Sequence, residues 1–299
     1  MRDFQGRTAV ITGGAGGIGY ALAERFGREG AQILLSDVES DALDAAVARL
    51  RDAGIRAEGH VADVSDYAAV EGLEARAREL FGRTHLLFNN AGVSITGPTW
   101  RMSADDWRWV WGVNVWGVVN GVRAFLPNML AHGEAAHVIN TGSLASFNGN
   151  GDHAPYCSSK AAVLGLSQSL YSEMRAMMTN VGVSIVCPGM VATRINQSWR
   201  NRPAGDAAWS DRESADADFR RYSDAFQGAG IAPERIAEST IEAVREDRFY
   251  VFTGDGWPRF LQETMGRALR AENPMVLTWG EDNRPEEAKA AWRGLADTI

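Results

Sequence analysis

The chain has 299 residues, and 38 acidic against 30 basic side chains leave it at a net charge of −8 with no basic block, which argues against nucleic acid or an anionic membrane surface as partner. No apolar stretch has membrane-spanning length and the N-terminus lacks a signal peptide's apolar core, so a cytoplasmic setting is expected. Hydrophobic content of 45% suits a globular core, while Cys157 and Cys187 are too few for a disulfide framework and lack metal-ligand spacing.

Thr8-Ala9-Val10-Ile11 is a β-branched apolar run, the signature of a buried strand. It enters Thr12-Gly13-Gly14-Ala15-Gly16-Gly17-Ile18-Gly19, and Tyr20 to Gly30 then reads as a helix with Leu22 and Phe26 on one face. Glycines at a strand-to-helix turn let the backbone approach a pyrophosphate, and the helix N-terminus offers N–H donors and positive dipole. A second strand, Ala31 to Asp37, ends in an acid. An acid there accepts hydrogen bonds from ribose hydroxyls and repels a 2′-phosphate. No Arg or Lys lies in the glycine turn or within Ser36–Ser40, so the expected dinucleotide is NAD rather than NADP.

Further along, helices are predicted over Ser40–Asp52 and Asp66–Phe81, and strands over Ile55–Asp63 and His85–Phe88. Ala104 to Leu130 reads as one long helix carrying Trp107, Trp109, Trp111 and Trp116, more aromatic surface than a core stripe needs; core packing and a subunit interface both fit. His137–Thr141 is a strand leading to Ser143, Pro155–Met178 a helix, Val181–Cys187 a strand, Pro233–Glu246 a helix and Phe249–Thr253 a last strand. This alternation predicts one doubly wound α/β Rossmann domain over residues 1–255, with a central parallel sheet of about seven strands.

Two additions interrupt the pattern. Met190 to Gly230 follows the sixth strand, at the sheet edge where ligands bind, and is read as a substrate lid. It holds Trp199, Trp209, Phe219, Tyr222 and Phe226 amid Arg194, Arg200 and Arg202, at least two of these arginines being read as solvated surface. Residues 256–299 read as a C-terminal helical extension, with a helix over Trp257–Arg270 and another start at Pro285; Trp279 and Trp292 suggest docking on the domain or a neighbouring subunit.

The chemistry centres on Tyr156-Cys157-Ser158-Ser159-Lys160. Tyr156 and Lys160, four apart, share a helix face. A phenol titrates near pH 10 when unperturbed, and a neighbouring ammonium favours the phenolate. Ser143 can hold a carbonyl or alcohol oxygen against the tyrosine. This is equipment for moving a proton to or from oxygen while something else moves a hydride. The five histidines contain no evident triad member, Ser143 lacks a G-x-S-x-G elbow, and His153 reads as a solvated loop residue.

Thr12, Gly13, Gly17 and Gly19, Asp63-Val64, Asn89-Asn90-Ala91-Gly92, Asn114, Ser143, Tyr156, Lys160, Pro188-Gly189 and Thr193 stand in order. On these motifs the chain resembles the short-chain dehydrogenase/reductase family over about residues 4–255. The resemblance implies that Tyr156 is the acid-base group, that Lys160 lowers its pKa and binds the nicotinamide ribose, that Ser143 orients the substrate oxygen, and that Asn114 holds a relay water. It assigns Gly13, Gly17, Ile18, Gly19, Asp37, Asp63, Val64, Asn90, Ala91, Gly92, Pro188, Gly189, Val191 and Thr193 to the cofactor, beside Tyr156 and Lys160. Ser143, Leu144, Met190, Trp199 and Trp209 are expected to meet a bulky, largely apolar, aromatic or cyclic small molecule. The implied assembly is a homodimer or homotetramer and no metal is expected. The leading expectation is NAD-dependent interconversion of a secondary alcohol and a ketone. Alternatives on the same scaffold are dihydrodiol oxidation, C=C reduction and a non-catalytic NAD sensor, though a sensor would be expected to lose Tyr156 or Lys160.

Overall fold

The computed structural model describes residues 1–203, 228, 230–254 and 256–275. Seven strands form one sheet: β1 (Thr8–Thr12), β2 (Gln32–Asp37), β3 (Ala57–Val61), β4 (Leu86–Asn89), β5 (Ala136–Thr141), β6 (Val181–Cys187) and β7 (Tyr250–Phe252). Their order is β3-β2-β1-β4-β5-β6-β7, and every neighbouring pair is parallel. The crossovers are α1 (Gly17–Arg28), α2 (Ser40–Asp52), α3 (Tyr67–Phe81), α4 (Ala104–Trp111), α5 (Gly117–Ala131), α6 (Ala154–Ala176) and α7 (Pro233–Glu246). The order reverses between β1 and β4, which opens a crevice at their C-terminal ends.

The two-residue period of the strands divides the core. Ala9, Ile11, Ile33, Leu35, Leu86 and Phe88 face one layer, with Leu22 and Phe26 of α1 and Ile236 and Ile241 of α7. Val10, Leu34, Leu87, Val138 and Val183 face the other, with Leu73, Phe125 and Leu170 of α3, α5 and α6. Burial on both faces explains why these strands read as continuous apolar runs. A polar chain runs through the second layer: Asn89 Nδ2 donates to Asn140 Oδ1 (2.8 Å), Asn140 Nδ2 to Ser167 Oγ (3.0 Å) and Ser167 Oγ to the Val163 carbonyl (2.7 Å). A Cβ at Gly121 would lie 2.0 Å from Asn89 Oδ1, so α5 reaches the sheet only because that position is glycine.

The expected long helix runs without a gap from Ala104 to Ala131, but it is not uniformly α-helical. Between α4 and α5 the chain widens into a π-helical turn, Gly112–Trp116, centred on buried Asn114. Asn114 is held by Val93 and Ser159, and a Cβ at Gly117 would meet Val64 Cγ2 at 2.7 Å, so the backbone must expand to satisfy both contacts. Such turns within helices are frequent at functional sites. β3 is shorter than predicted at both ends. The extension begins as α8 (Trp257–Leu269), whose Trp257 stacks on Phe252 with ring centroids 4.4 Å apart. Its Pro285, Trp279 and Trp292 lie outside the described residues.

His137 on β5 is 1% exposed, and its Nε2 lies 2.8 Å from Ser184 Oγ, whose own proton goes to the Arg248 carbonyl. His137 therefore donates to Ser184 as a neutral ring, and burial holds its pKa down to about 3. A depressed histidine pKa gives stability that is present above its ordinary value of 6.5 and is lost as pH falls toward 3. Chemical denaturation of wild type should thus show an acid-side loss steeper than that of His137→Asn by up to about 1.4 kcal/mol per pH unit. Equal slopes would remove His137 as the group responsible.

Candidate active site

β1 delivers Thr12 to the crevice, and Gly13 and Gly17 adopt positive φ (64° and 53°) to turn the chain into α1. A Cβ at Gly13 would sit 2.8 Å from the Ala91 Cα, and one at Gly19 would sit 2.1 Å from the Gly13 carbonyl oxygen. Thr12 Oγ1 accepts from the backbone N–H groups of Asn90 (3.0 Å) and Ala91 (3.1 Å), and Asn90 Nδ2 donates to the Thr12 carbonyl (3.0 Å). Asn90 Oδ1 also accepts from Thr141 Oγ1 (3.3 Å), so one side chain ties β1, β4 and β5 together. Asn90 and Ala91 thus build the crevice wall as well as facing it.

Asp37 ends β2 beside this turn, its carboxylate accepting from the Ala15 N–H (3.0 Å) and the Glu39 N–H (3.2 Å). Asp63, exposed after β3, accepts from both the N–H and the hydroxyl of Ser65, and Val64 is buried next to it. Ile18 packs on the first core layer. The Pro188 carbonyl accepts from the Leu144 N–H (2.9 Å), and a Cβ at Gly189 would touch Leu144 Cδ1 at 3.4 Å. Val191 pairs with Ile231 in a short parallel bridge, and the Thr193 methyl lies 3.0 Å from where a Gly17 Cβ would be. Side-chain-free turns at a helix N-terminus, with an acid at the end of the adjacent strand, fit a nicotinamide dinucleotide.

The catalytic candidates converge on the same edge. Lys160 is 3% exposed and donates from Nζ to the Thr141 carbonyl (2.8 Å), with Nζ 5.7 Å from the centroid of the half-buried Tyr156 ring. Ser143, 8% exposed, is hydrogen-bonded with Tyr156, while its Oγ accepts from the Ala145 N–H (3.1 Å). Ser146 Oγ accepts from the Ser143 N–H (3.2 Å) and donates to the Lys160 carbonyl (2.8 Å), fixing serine and lysine to each other. Asn114 Oδ1 accepts from the Val93 N–H (2.8 Å), and its Nδ2 donates to the Val93 carbonyl (3.0 Å) and Ser159 Oγ (2.9 Å). A Cβ on Gly92 would stand 3.4 Å from Asn114 Oδ1 and 3.5 Å from Lys160 Nζ, so glycine keeps that corner open.

The electrostatics depart from expectation. Burial pushes the Tyr156 hydroxyl up to about 12, with the Ser143 hydrogen bond opposing it, and burial brings Lys160 down to about 8. The expected lowering of Tyr156 is not produced by the protein alone, because loss of water around the phenol outweighs the Ser143 hydrogen bond.

Other predicted residues divide. Leu144 is half-buried, Met190 and Trp199 are each 38% exposed, and Trp209 lies outside the described residues. His153 is not a solvated loop residue: its Nε2 lies 3.1 Å from Thr96 Oγ1, and burial lowers its pKa. Nor are Arg200 and Arg202 simply solvated. Arg200 donates to Glu39 from Nη2 (2.7 Å) and Nε (3.1 Å), and Arg202 forms an ion pair with fully buried Asp106. The Ser94 N–H donates to Ser198 Oγ (3.1 Å), so residues 198–202 are anchored at three places. The four tryptophans separate: Trp109 is buried beneath Arg202, Trp107 packs with Val93 and Ile95, Trp111 Nε1 donates to Ser158 Oγ (3.2 Å) and Trp116 is 54% exposed. Sequence reasoning missed Ser159 and Thr141. The hydroxyl of Ser159 was visible inside the Tyr–Lys motif, whereas Thr141 acts through its carbonyl, which no side-chain pattern reports.

A doubly wound parallel sheet with a glycine turn at its switch point and a Ser–Tyr–Lys group beside it defines a nicotinamide-dependent oxidoreductase. The chain belongs to the short-chain dehydrogenase/reductase family, and the short chain dehydrogenase model matches residues 7–204. It is 35% identical over 298 residues to a C alpha-dehydrogenase of Sphingobium sp. (strain NBRC 103272 / SYK-6), covering 94% of this chain and 96% of that protein. It is 36% identical over 251 residues to a 1-deoxy-11-beta-hydroxypentalenate dehydrogenase of Streptomyces exfoliatus, covering 83% of each. Among solved structures, a short-chain dehydrogenase/reductase from Burkholderia phymatum in complex with NAD superposes with TM-score 0.87 at 39% identity, covering 92% of this chain and 98% of that one. No helix among the described residues is long and apolar enough to cross a membrane, and among them no group of three His, Cys, Asp or Glu is placed to hold a metal ion.

The turn offers a paired test. Gly16→Ala meets nothing within 4 Å, whereas Gly19→Ala drives a methyl into the Gly13 carbonyl. Gly19→Ala should cost on the order of 1–3 kcal/mol and abolish dinucleotide binding, with Gly16→Ala close to wild type. Thermal melts and dinucleotide titrations of both variants read this directly, and equal behaviour would contradict the close approach.

Proposed function

We propose that this enzyme oxidises a secondary alcohol to a ketone, and runs the reverse reaction, with NAD as its dinucleotide and a bulky, largely apolar substrate. The observation that carries the reading is the convergence of Ser143, Tyr156 and Lys160 on the switch-point crevice. Bound NAD would supply the hydride acceptor and a cationic ring. Ser143 orients the alcohol oxygen, and Tyr156 Oη would take the hydroxyl proton as the phenolate, its own proton having passed toward solvent by way of Lys160 and Asn114 once the cationic ring is bound, while the carbon loses hydride. Lys160, with its pKa near 8, holds positive charge beside the phenol and links it toward Asn114 across the space above Gly92. In the ketone-reducing direction Tyr156 returns the proton to oxygen.

Asp37 supports NAD over NADP, since its carboxylate is fixed by two N–H groups at the end of β2. Leu144, Met190 and Trp199 support an apolar wall, with Trp209 as its expected continuation, and residues 190–230 act as the lid that excludes water over the reacting carbon. The hydroxypentalenate dehydrogenase relative supports a hydroxyl-bearing substrate. Exposed Trp116 supports a homodimer or homotetramer contact at α4–α5, and two unpaired buried cysteines support a reducing, cytoplasmic setting.

Tyr156→Phe should lower kcat by about a hundredfold to ten-thousandfold while leaving the NAD dissociation constant within a few-fold. Appearance of reduced cofactor absorbance with a panel of cyclic and aryl secondary alcohols is the readout. Near-wild-type turnover in that variant would remove Tyr156 from its role.

A further inference from the structure

The start of the lid reaches the adenosine end of the crevice. Glu39 stands two residues beyond Asp37, and its N–H donates to the Asp37 carboxylate at 3.2 Å. The Glu39 side chain, 23% exposed, accepts from Arg200 Nη2 (2.7 Å) and Nε (3.1 Å) and from Asn201 Nδ2 (3.0 Å), with Arg194 Nη2 3.8 Å away. Burial works to raise the Glu39 carboxyl, and the Arg200 and Asn201 hydrogen bonds and both guanidinium charges more than cancel it, leaving it below the usual range. The segment Ser36–Ser40 contains no cation, yet the fold brings two there from more than a hundred and fifty residues away, the Arg200–Glu39 separation being 161. The charges of Asp37, Glu39, Arg194 and Arg200 cancel; loss of the Glu39 charge leaves the group cationic, and loss of Arg200 leaves it anionic.

We propose that Glu39 is a second determinant of dinucleotide choice, acting by holding Arg200 and Arg194 away from a 2′-phosphate. Asp37 repels that phosphate directly. Glu39 engages the two guanidiniums that would otherwise welcome it, Arg200 through two donors on Oε1 and Arg194 as an ion pair at Oε2. The adenosine ribose of NAD carries no such anion, so the Glu39 charge bears mainly on NADP. The inference rests on the dinucleotide reading of the crevice.

The test is direct titration of NADH and NADPH, read by the fluorescence of the bound nicotinamide, on wild type, Glu39→Gln, Arg200→Gln and the double variant. Glu39→Gln should tighten NADPH relative to NADH by about tenfold, Arg200→Gln should weaken it by a few-fold, and the double variant should return toward wild type. The opposite signs matter, because both single variants break the same pair. If that pair merely clamps the lid, both variants shift the two dinucleotides in the same direction, and that result overturns the proposal. Either single variant showing an unchanged NADH-to-NADPH ratio also overturns it, so a Glu39→Gln protein that does not fold leaves Arg200→Gln to decide. Wild type binding neither dinucleotide would instead sink the dinucleotide reading itself, and this proposal with it.

Discussion

The site depends on one close approach: the backbone of the glycine turn against the backbone after β4. A Gly13 Cβ would stand 2.8 Å from the Ala91 Cα, nearer than two carbons can pack. The approach is held by directed bonds as well as by the lack of a side chain. Thr12 Oγ1 accepts two consecutive N–H groups, those of Asn90 and Ala91, and donates to the Phe88 carbonyl at 3.2 Å. Asn90 answers with bonds to Thr12 and from Thr141. Buried backbone groups at the ends of three strands are thereby satisfied where the sheet must open. Everything functional then hangs from strand ends whose relative positions are fixed: α1 from β1, Gly92 from β4, Ser143 from β5 and Thr193 from β6.

A second constraint is desolvation. Lys160 is almost fully enclosed, and its ammonium is tolerated because the Thr141 carbonyl takes one of its protons and Asn114 shares the same corner. The same enclosure that lets Lys160 approach neutrality also discourages the phenolate. Protein alone therefore leaves the proton on Tyr156 at neutral pH.

Much of this was legible in the chain. Strand after strand reads as an apolar run because both faces are covered, and the glycine spacing and the Tyr–Lys pair survive in three dimensions at the predicted edge. The π-helical turn was not legible, because Gly112, Asn114 and Gly117 are individually compatible with a helix, and only contacts with Val64, Val93 and Ser159 force the widening. The pairing of Arg200 with Glu39 and of Arg202 with Asp106 was equally hidden, since no local pattern links residues so far apart. The sign of the Tyr156 shift was misjudged for a related reason: sequence shows a neighbouring charge but not how little water surrounds it.

The bridge between Val191 and Ile231 bears on how such an enzyme changes over evolutionary time. The Ala192 N–H donates to the Ile231 carbonyl (2.9 Å), the Ile231 N–H donates to the Met190 carbonyl (3.0 Å), and Gly230 lies so tight against Val191 that a Cβ there would approach within 2.7 Å. The two feet of the insertion are thus pinned together at the domain surface. Closing a longer or shorter segment on such a pinned base alters the entropy of closure only logarithmically with length. Mutation can therefore lengthen, shorten or rewrite what lies between the feet while α7 and the strand-six end keep their register. The architecture thus separates the strand ends that carry Ser143, Tyr156 and Lys160 from a segment whose length they do not constrain.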